Sequence, residues 1–474
     1  MVNRYNENWF IVITEENKQE TITEFCRNVL DLNNVDIFQE ERREQEDRKS
    51  ELPLDELTVN QEVLRDLLNK FPTPFTIIQE FYYIDRSFRD SYYTYFSNQH
   101  FHIKQYSRRL FFMKGIISLD ELILKQGNEN VLEQALMGVC VINPLITGAI
   151  GRTLIKPEYC FDMEEKPVFM RLSEFVLHVY GKSLKINAFP YRMQDAETMR
   201  CAEVTLLNLI EYYANSFNDY RNIVPSDILG FEQKYNYERV LPARGMTFPV
   251  FTKILSDLGF SPRLYNVNSI EKFCFSEVTQ KHELKRLLHY YIESGIPVAL
   301  NLAPQHNNGT GHSLLCVGHG EYKEELFEYA KSIKLKNWDS NEGGHALINS
   351  ADFYNEYVIV DDNQPVYKKR CFDNLSIYSD MNVENIAVPL HKRMFLDALD
   401  ASTIIYEILK QENYGIAKWG EGYLEKNEDI VTRLFLASAH NLKKFRIQTL
   451  SQNLATIYAF LPMPKFVWVC ELYR

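Results

Sequence analysis

The chain has 474 residues, 45% hydrophobic and 24% charged, a balance that excludes disordered and fibrous classes and predicts two or three hydrophobic cores. Lys plus Arg total 52 against 64 Asp plus Glu, a net charge of -12, so no global positive field draws a phosphate backbone and nucleic acid is excluded as the expected partner. No stretch reaches the length needed to span a bilayer, and Met1 to Phe10 lacks the basic and apolar blocks of a secretory signal; a cytoplasmic protein with no membrane partner is expected.

From the N-terminus, Trp9 to Ile13 reads as a strand and the spacing of Phe25, Val29 and Leu30 as a helix. The mixed-sign run Gln39 to Glu51 reads as solvated. A second helix covers Gln61 to Leu68 and stops at Pro72 and Pro74. Phe75 to Phe112 is dense in aromatics, which predicts packing, and His100 and His102 within it have no companion ligands at metal spacing. Met137 to Ile142 reads as a strand followed by a turn at Gly151-Arg152-Thr153. Residues 1–185 carry no assigned chemistry.

Residues 202–213 form the apolar stripe of a buried helix. Shorter helices are expected at Phe251 to Leu258, closed by Gly259, and at His282 to Ser294, closed by Gly295. Strands follow at Pro297 to Leu302, Ser313 to Val317 and Tyr357 to Val360. A helix first and strands afterwards predicts an α+β unit with the helix on an antiparallel sheet. Beyond it, Phe395 to Leu409 and Asp429 to His440 read as helical and Phe466 to Cys470 as a terminal strand. The expected division is 1–185, 186–385 and 386–474.

The eight cysteines are scattered with no C-x-x-C pair, so neither a zinc site nor a disulfide framework is expected, and no cofactor or metal. Cys201 stands apart. A thiol of ordinary pKa, about 8.5, is mostly protonated at neutral pH, and the start of a helix favours the thiolate that a nucleophile needs. His312, in Gly311-His312-Ser313-Leu314-Leu315-Cys316-Val317-Gly318, is the candidate base. Asp361 and Asp362 follow the Tyr357 to Val360 strand, and alternation would turn them to opposite faces, so one of the two would orient His312. Gln194 is the candidate side-chain donor to an oxyanion. Gly343-Gly344-His345 and His319 read as turn residues.

Gln194, Cys201 at a helix head, Gly295-Ile296-Pro297-Val298, Gly311-His312 and Tyr357 to Asp362 run in the order seen in papain-like cysteine peptidases. Over residues 190–370 the chain most resembles the double-glycine, bacteriocin-processing leader peptidase branch. That resemblance implies a papain-like fold, a bacterial source, Cys201 as nucleophile, His312 as base, Asp362 ahead of Asp361 as orienter and Gln194 as oxyanion donor. The family commonly has Asp-Cys-Gly where this chain has Arg200-Cys201-Ala202, its Gln-to-Cys spacing is one residue shorter, and Leu326 to Asn355 reads as an insertion. The expected activity is cleavage of a peptide or isopeptide bond in a protein or peptide substrate, with an operon-encoded protein as a possible partner by the same resemblance. The alternatives are transglutaminase-like acyl transfer and a catalytically silent binding module.

Overall fold

A computed structural model describes residues 9–30, 54–99, 103–118, 120–124, 129–145, 147–161, 169–236, 240–270, 279–304, 311–333, 347–377, 381–409, 411 and 429–473. The charged run at 39–51, His100, His102, Cys274 and Gly343-Gly344-His345 lie outside them.

An antiparallel five-stranded sheet comes first, with β1 (Phe10–Ile13), β2 (Phe75–Tyr83), β3 (Ser107–Lys114), β4 (Leu136–Ile142) and β5 (Ile150–Ile155) adjacent in chain order. Helices Lys18–Val29 and Leu54–Asn69 cover one face, burying Phe25, Leu64 and Leu68 with Phe75 and Phe112. Gly151-Arg152-Thr153 lies inside β5, with Thr153 paired to Cys140, and does not form the expected turn. The chain reverses earlier, where Gly148 takes the left-handed φ of 63°.

After β6 (Phe169–Met170), the hairpin of β7 (Ser173–Val179) and β8 (Lys182–Ala188) alternates strictly between buried and exposed residues. The second sheet is assembled from β9 (Arg263–Asn266), β10 (Val298–Pro304), β11 (His312–His319), β13 (Glu356–Val360), β14 (Lys368–Cys371) and β15 (Met381–Val388). Its order is β14-β13-β11-β10-β15-β9, with β6 also on β11, and every pairing is antiparallel.

Alternation along these strands creates two apolar faces. Leu315, Val317, Val358 and Val360 pack with Val204 and Leu207 of helix Cys201–Ser216. Leu314, Cys316, Tyr357 and Ile359 pack with Leu284, Leu287 and Tyr291 of helix Gln280–Glu293. The sheet is therefore held between two helices, which fixes the head of the Cys201 helix relative to β11.

Between β11 and β13 lies β12 (Leu347–Asn349), which joins a third sheet with β16 (Ile430–Ser438) and β17 (Phe466–Tyr473) in the order β12-β16-β17. β12 runs parallel to β16, while β17 is antiparallel. Asp429 to His440 is therefore a strand through most of its length, not a helix. Ile430, Thr432, Leu434 and Leu436 are buried and the residues between them only partly so, a period of two that outweighs the helix-forming composition. Phe466 to Cys470 does end the fold as a strand. Helices Ala439–Thr449 and Gln452–Phe460 form a hairpin between β16 and β17, and helix Ala398–Leu409 precedes β16. The protein is α+β with antiparallel sheets dominating. No helix among the described residues is long and apolar enough to cross a membrane.

Candidate active site at the head of the Cys201 helix

The segment leading to Cys201 is organised by one buried carboxylate. Asp195 Oδ1 accepts the backbone N–H groups of Glu197 at 2.9 Å, Thr198 at 2.6 Å and Met199 at 2.9 Å. Ala196 adopts a left-handed φ of 60° inside this turn, a conformation that costs a non-glycine residue on the order of 1 kcal/mol. The turn absorbs the long interval between Gln194 and Cys201. It hands the chain to Arg200, whose extended backbone N–H donates to Glu203 Oε2 at 3.2 Å, the reciprocal half of a capping box. Cys201 is the first helical residue and half-buried, at the end of the helix where the unpaired N–H groups favour negative charge.

His312 opens β11 and is buried. Its Nε2 donates to Asp361 Oδ1 at 2.9 Å, and the Cys201 side chain is a further hydrogen-bond partner of the ring. Asp361 is itself held by the Asn363 N–H at 3.0 Å and by Gln364 Nε2 at 2.8 Å. Burial works against charge on His312, but the bonds to Asp361 and Cys201 and the nearby carboxylates outweigh it and push the imidazole up to about 11. Burial also opposes charge on Asp361, yet its hydrogen bonds and the imidazolium hold it below the usual carboxylate range.

Asp362 is placed differently. Its Oδ1 stands 3.8 Å from His312 Nε2, and neither of its oxygens finds a hydrogen-bond partner among the described residues. Burial, then the charge of Asp361, pushes it well above the carboxylate range, so it is the neutral member of the pair. The opposite facing expected from alternation fails because β13 ends at Val360 and the two aspartates belong to the turn that follows. Both approach His312, and the direct partner is Asp361. His312, Asp361 and Asp362 also bring ligand atoms within 4.8 Å of one another, a spacing a divalent ion could use.

Gln194 is joined to this group through the turn. Its Nε2 donates to Asn363 Oδ1 at 3.2 Å, and Asn363 in turn donates its N–H to Asp361. The Gln194 backbone rests directly on Gly148, where a Cβ would come within 2.1 Å of the Gln194 carbonyl oxygen.

Several residues that shape the site give little sign of it in sequence. Glu203 and Glu232 are buried together beneath the head of the Cys201 helix; burial first, then the Glu203 charge, pushes Glu232 up to about 8. Glu203 interrupts an otherwise apolar helix, a signal available in sequence, but its partner lies on another element. His319 is the buried last residue of β11 rather than part of a turn. It lies 3.4 Å from Glu293, which also pairs with Arg433 of β16 at 2.6 Å.

No protein-family model matches this sequence, and no curated protein matches it.

Proposed function

We propose that the protein is a papain-like cysteine peptidase, cutting a peptide or isopeptide bond of a protein or peptide substrate with Cys201 as nucleophile, His312 as base and Asp361 as orienter. The observation that supports this most is the chain of contacts from the Cys201 side chain to His312 and on to Asp361 at the head of a buried helix.

In this reading His312 accepts the Cys201 thiol proton and the sulfur attacks the substrate carbonyl carbon. The tetrahedral oxyanion is met by the Cys201 backbone N–H and by Gln194, whose amide has two N–H donors, one of them engaged by Asn363. His312 then gives its proton to the departing amine as the C–N bond breaks, leaving a thioester on Cys201. Water, activated by the now neutral His312, attacks the thioester and restores the thiol. An amine in place of water makes the same machinery an acyl transferase, the runner-up activity. Asp361 stays ionised throughout, keeping Nε2–H directed at itself and the other ring nitrogen available to sulfur.

A divalent ion on His312, Asp361 and Asp362 is the second reading, motivated by their mutual spacing. It is disfavoured because His312 Nε2 already donates to Asp361, and a metal at that nitrogen would displace the proton. Alkylation separates the two. Cys201 should react with iodoacetamide below pH 8 at least about tenfold faster than the similarly half-buried Cys371. His312→Ala should erase the difference and a chelator should leave it unchanged. Equal labelling of Cys201 and Cys371 in the unmodified protein sinks the peptidase reading.

A further inference from the structure

The helical hairpin at Ala439–Thr449 and Gln452–Phe460 is built against the rule that a helix buries its apolar stripe. The first helix buries Leu442 alone, and the second buries no residue at all and packs mainly on the first. Phe445, Leu454, Ile457 and Phe460 are left on the surface, Phe460 being 84% exposed. The core does not need these side chains where they stand, and with Ile447 also exposed, five large apolar groups along one short hairpin are more than scattered exposure accounts for.

Charge is segregated onto the same element. In a chain of net charge -12, residues 430–470 contain no Asp or Glu while carrying Arg433, Lys443, Lys444, Arg446 and Lys465. Arg433 and Arg446 are engaged by Glu471, and Lys443 donates to the Ala459 carbonyl. Lys444 and Lys465 are exposed and form no ion pair among the described residues. A second segment repeats the pattern beside the base of the hairpin: Lys392 and Arg393 are exposed, and Phe395 is 92% exposed. It is fixed there by the Trp468 Nε1 bond to the Leu396 carbonyl at 3.0 Å and by the His391 ring against Phe466 at 5.5 Å.

We infer that this face docks on an anionic lipid bilayer, with Phe395, Ile457 and Phe460 entering the headgroup region and Lys392, Arg393, Lys444 and Lys465 meeting lipid phosphates and carboxylates. Exposed aromatic and aliphatic side chains flanked by cations are the pattern of an interfacial amphipathic helix. A protein ligand would be better served by a groove, whereas this surface is a projecting hairpin whose second helix leans on its neighbour alone. Surface docking requires no spanning helix, and none among the described residues is long and apolar enough to be one.

The full chain, sedimented with vesicles of phosphatidylcholine alone or mixed with phosphatidylserine, tests this. It should pellet with the mixed vesicles and not with the neutral ones, and high salt should release it. Phe460→Ser, and separately Lys444→Glu with Lys465→Glu, should each weaken vesicle binding on the order of tenfold while leaving alkylation of Cys201 unchanged. Because Phe460, Lys444 and Lys465 are all exposed, these variants keep the fold, which the unchanged alkylation reports independently. Equal pelleting with both vesicle types, or none with either, overturns the inference. So does a dimer in solution that Phe460→Ser dissociates, which would give the face to a second copy. Binding to polyglutamate that matches the mixed vesicles and ignores Phe460→Ser would give it to an acidic protein and equally overturns the lipid assignment.

Discussion

Two neighbouring carboxyls in opposite states define the chemistry around His312. Asp361, with three hydrogen bonds, is the charged one, and Asp362, with both oxygens unpartnered, is the neutral one. Asp361→Asn should therefore slow Cys201 alkylation and any turnover by about a hundredfold or more, because the amide cannot hold the Nε2–H tautomer or balance the imidazolium. Asp362→Asn replaces a neutral group with another of the same shape and should change either rate only severalfold; a larger loss for Asp362→Asn than for Asp361→Asn would reverse the assignment. Glu232 carries a pH signature of its own. Its folded value of about 8 lies above the unfolded value of about 4.3. The folded state thus binds the extra proton, so this contribution is complete below pH about 4.3 and is lost as pH rises through 8. Melting temperature should fall from pH 6 to 9 more steeply in the unmodified protein than in Glu232→Gln, and parallel profiles would refute a raised Glu232 as the cause. At this scale the sequence makes Cys201, His312 and an aspartate pair visible, because each sits beside a local marker: a helix head, a Gly-His strand, a strand end. Which aspartate bonds His312 is not visible, since it depends on β13 stopping at Val360, and Glu232 is invisible because its partner Glu203 is brought to it only by packing.

Among the elements, the turn from Gln194 to Cys201 matters most for the site. It is held from inside by Asp195 and from outside by Gly148, whose missing Cβ lets the Gln194 backbone approach. Gly148→Ala brings both a left-handed φ and a direct backbone clash. On the proposed peptidase reading, the expected outcome is a displaced Gln194, read as a fall in kcat of about tenfold to a hundredfold on a peptide substrate with Cys201 alkylation nearly intact, since the sulfur and its helix are not touched. Loss of alkylation to the same degree would mean the turn positions the thiol as well. Helices with a wide apolar face and a closing glycine are readable in the chain, and Phe248–Asp257 and Gln280–Glu293 fall where Gly259 and Gly295 place their ends. β16 is misread because Leu434, Leu436 and Ala437 are also good helix formers, and only a neighbouring strand reveals the period of two.

Across the whole molecule, one apolar core runs from the first sheet into the Cys201 helix, with Phe112, Cys140 and Ile150 in the same cluster as Leu206 and Leu207. A buried ion group ties the two together. Glu211 of the Cys201 helix accepts from Arg192 and from Arg152 of β5, and these cations outweigh burial to hold its carboxyl down to about 2. Glu211→Gln leaves the buried Arg192 and the half-buried Arg152 short of a counter-charge and should cost about 3–5 kcal/mol in denaturant unfolding. A cost under 1 kcal/mol would show the group to be dispensable. Composition anticipates several cores but not this continuity, because no local pattern tells which aromatic of the first 185 residues will meet which leucine of the helix.

The parallel pairing of β12 with β16 also has a consequence in time. Ile348 and Thr432, joined through a hydrogen bond, are 84 positions apart, so during synthesis β12 leaves the ribosome long before its strand partner β16 exists. The segment between His312 and Asp361 waits in an unfinished state, and the growing chain holds its candidate nucleophile and base before the framework that spaces them is closed. Maturation is thereby linked to late translation, and a chain stopped before residue 430 would carry β12 without either of the other two strands of its sheet.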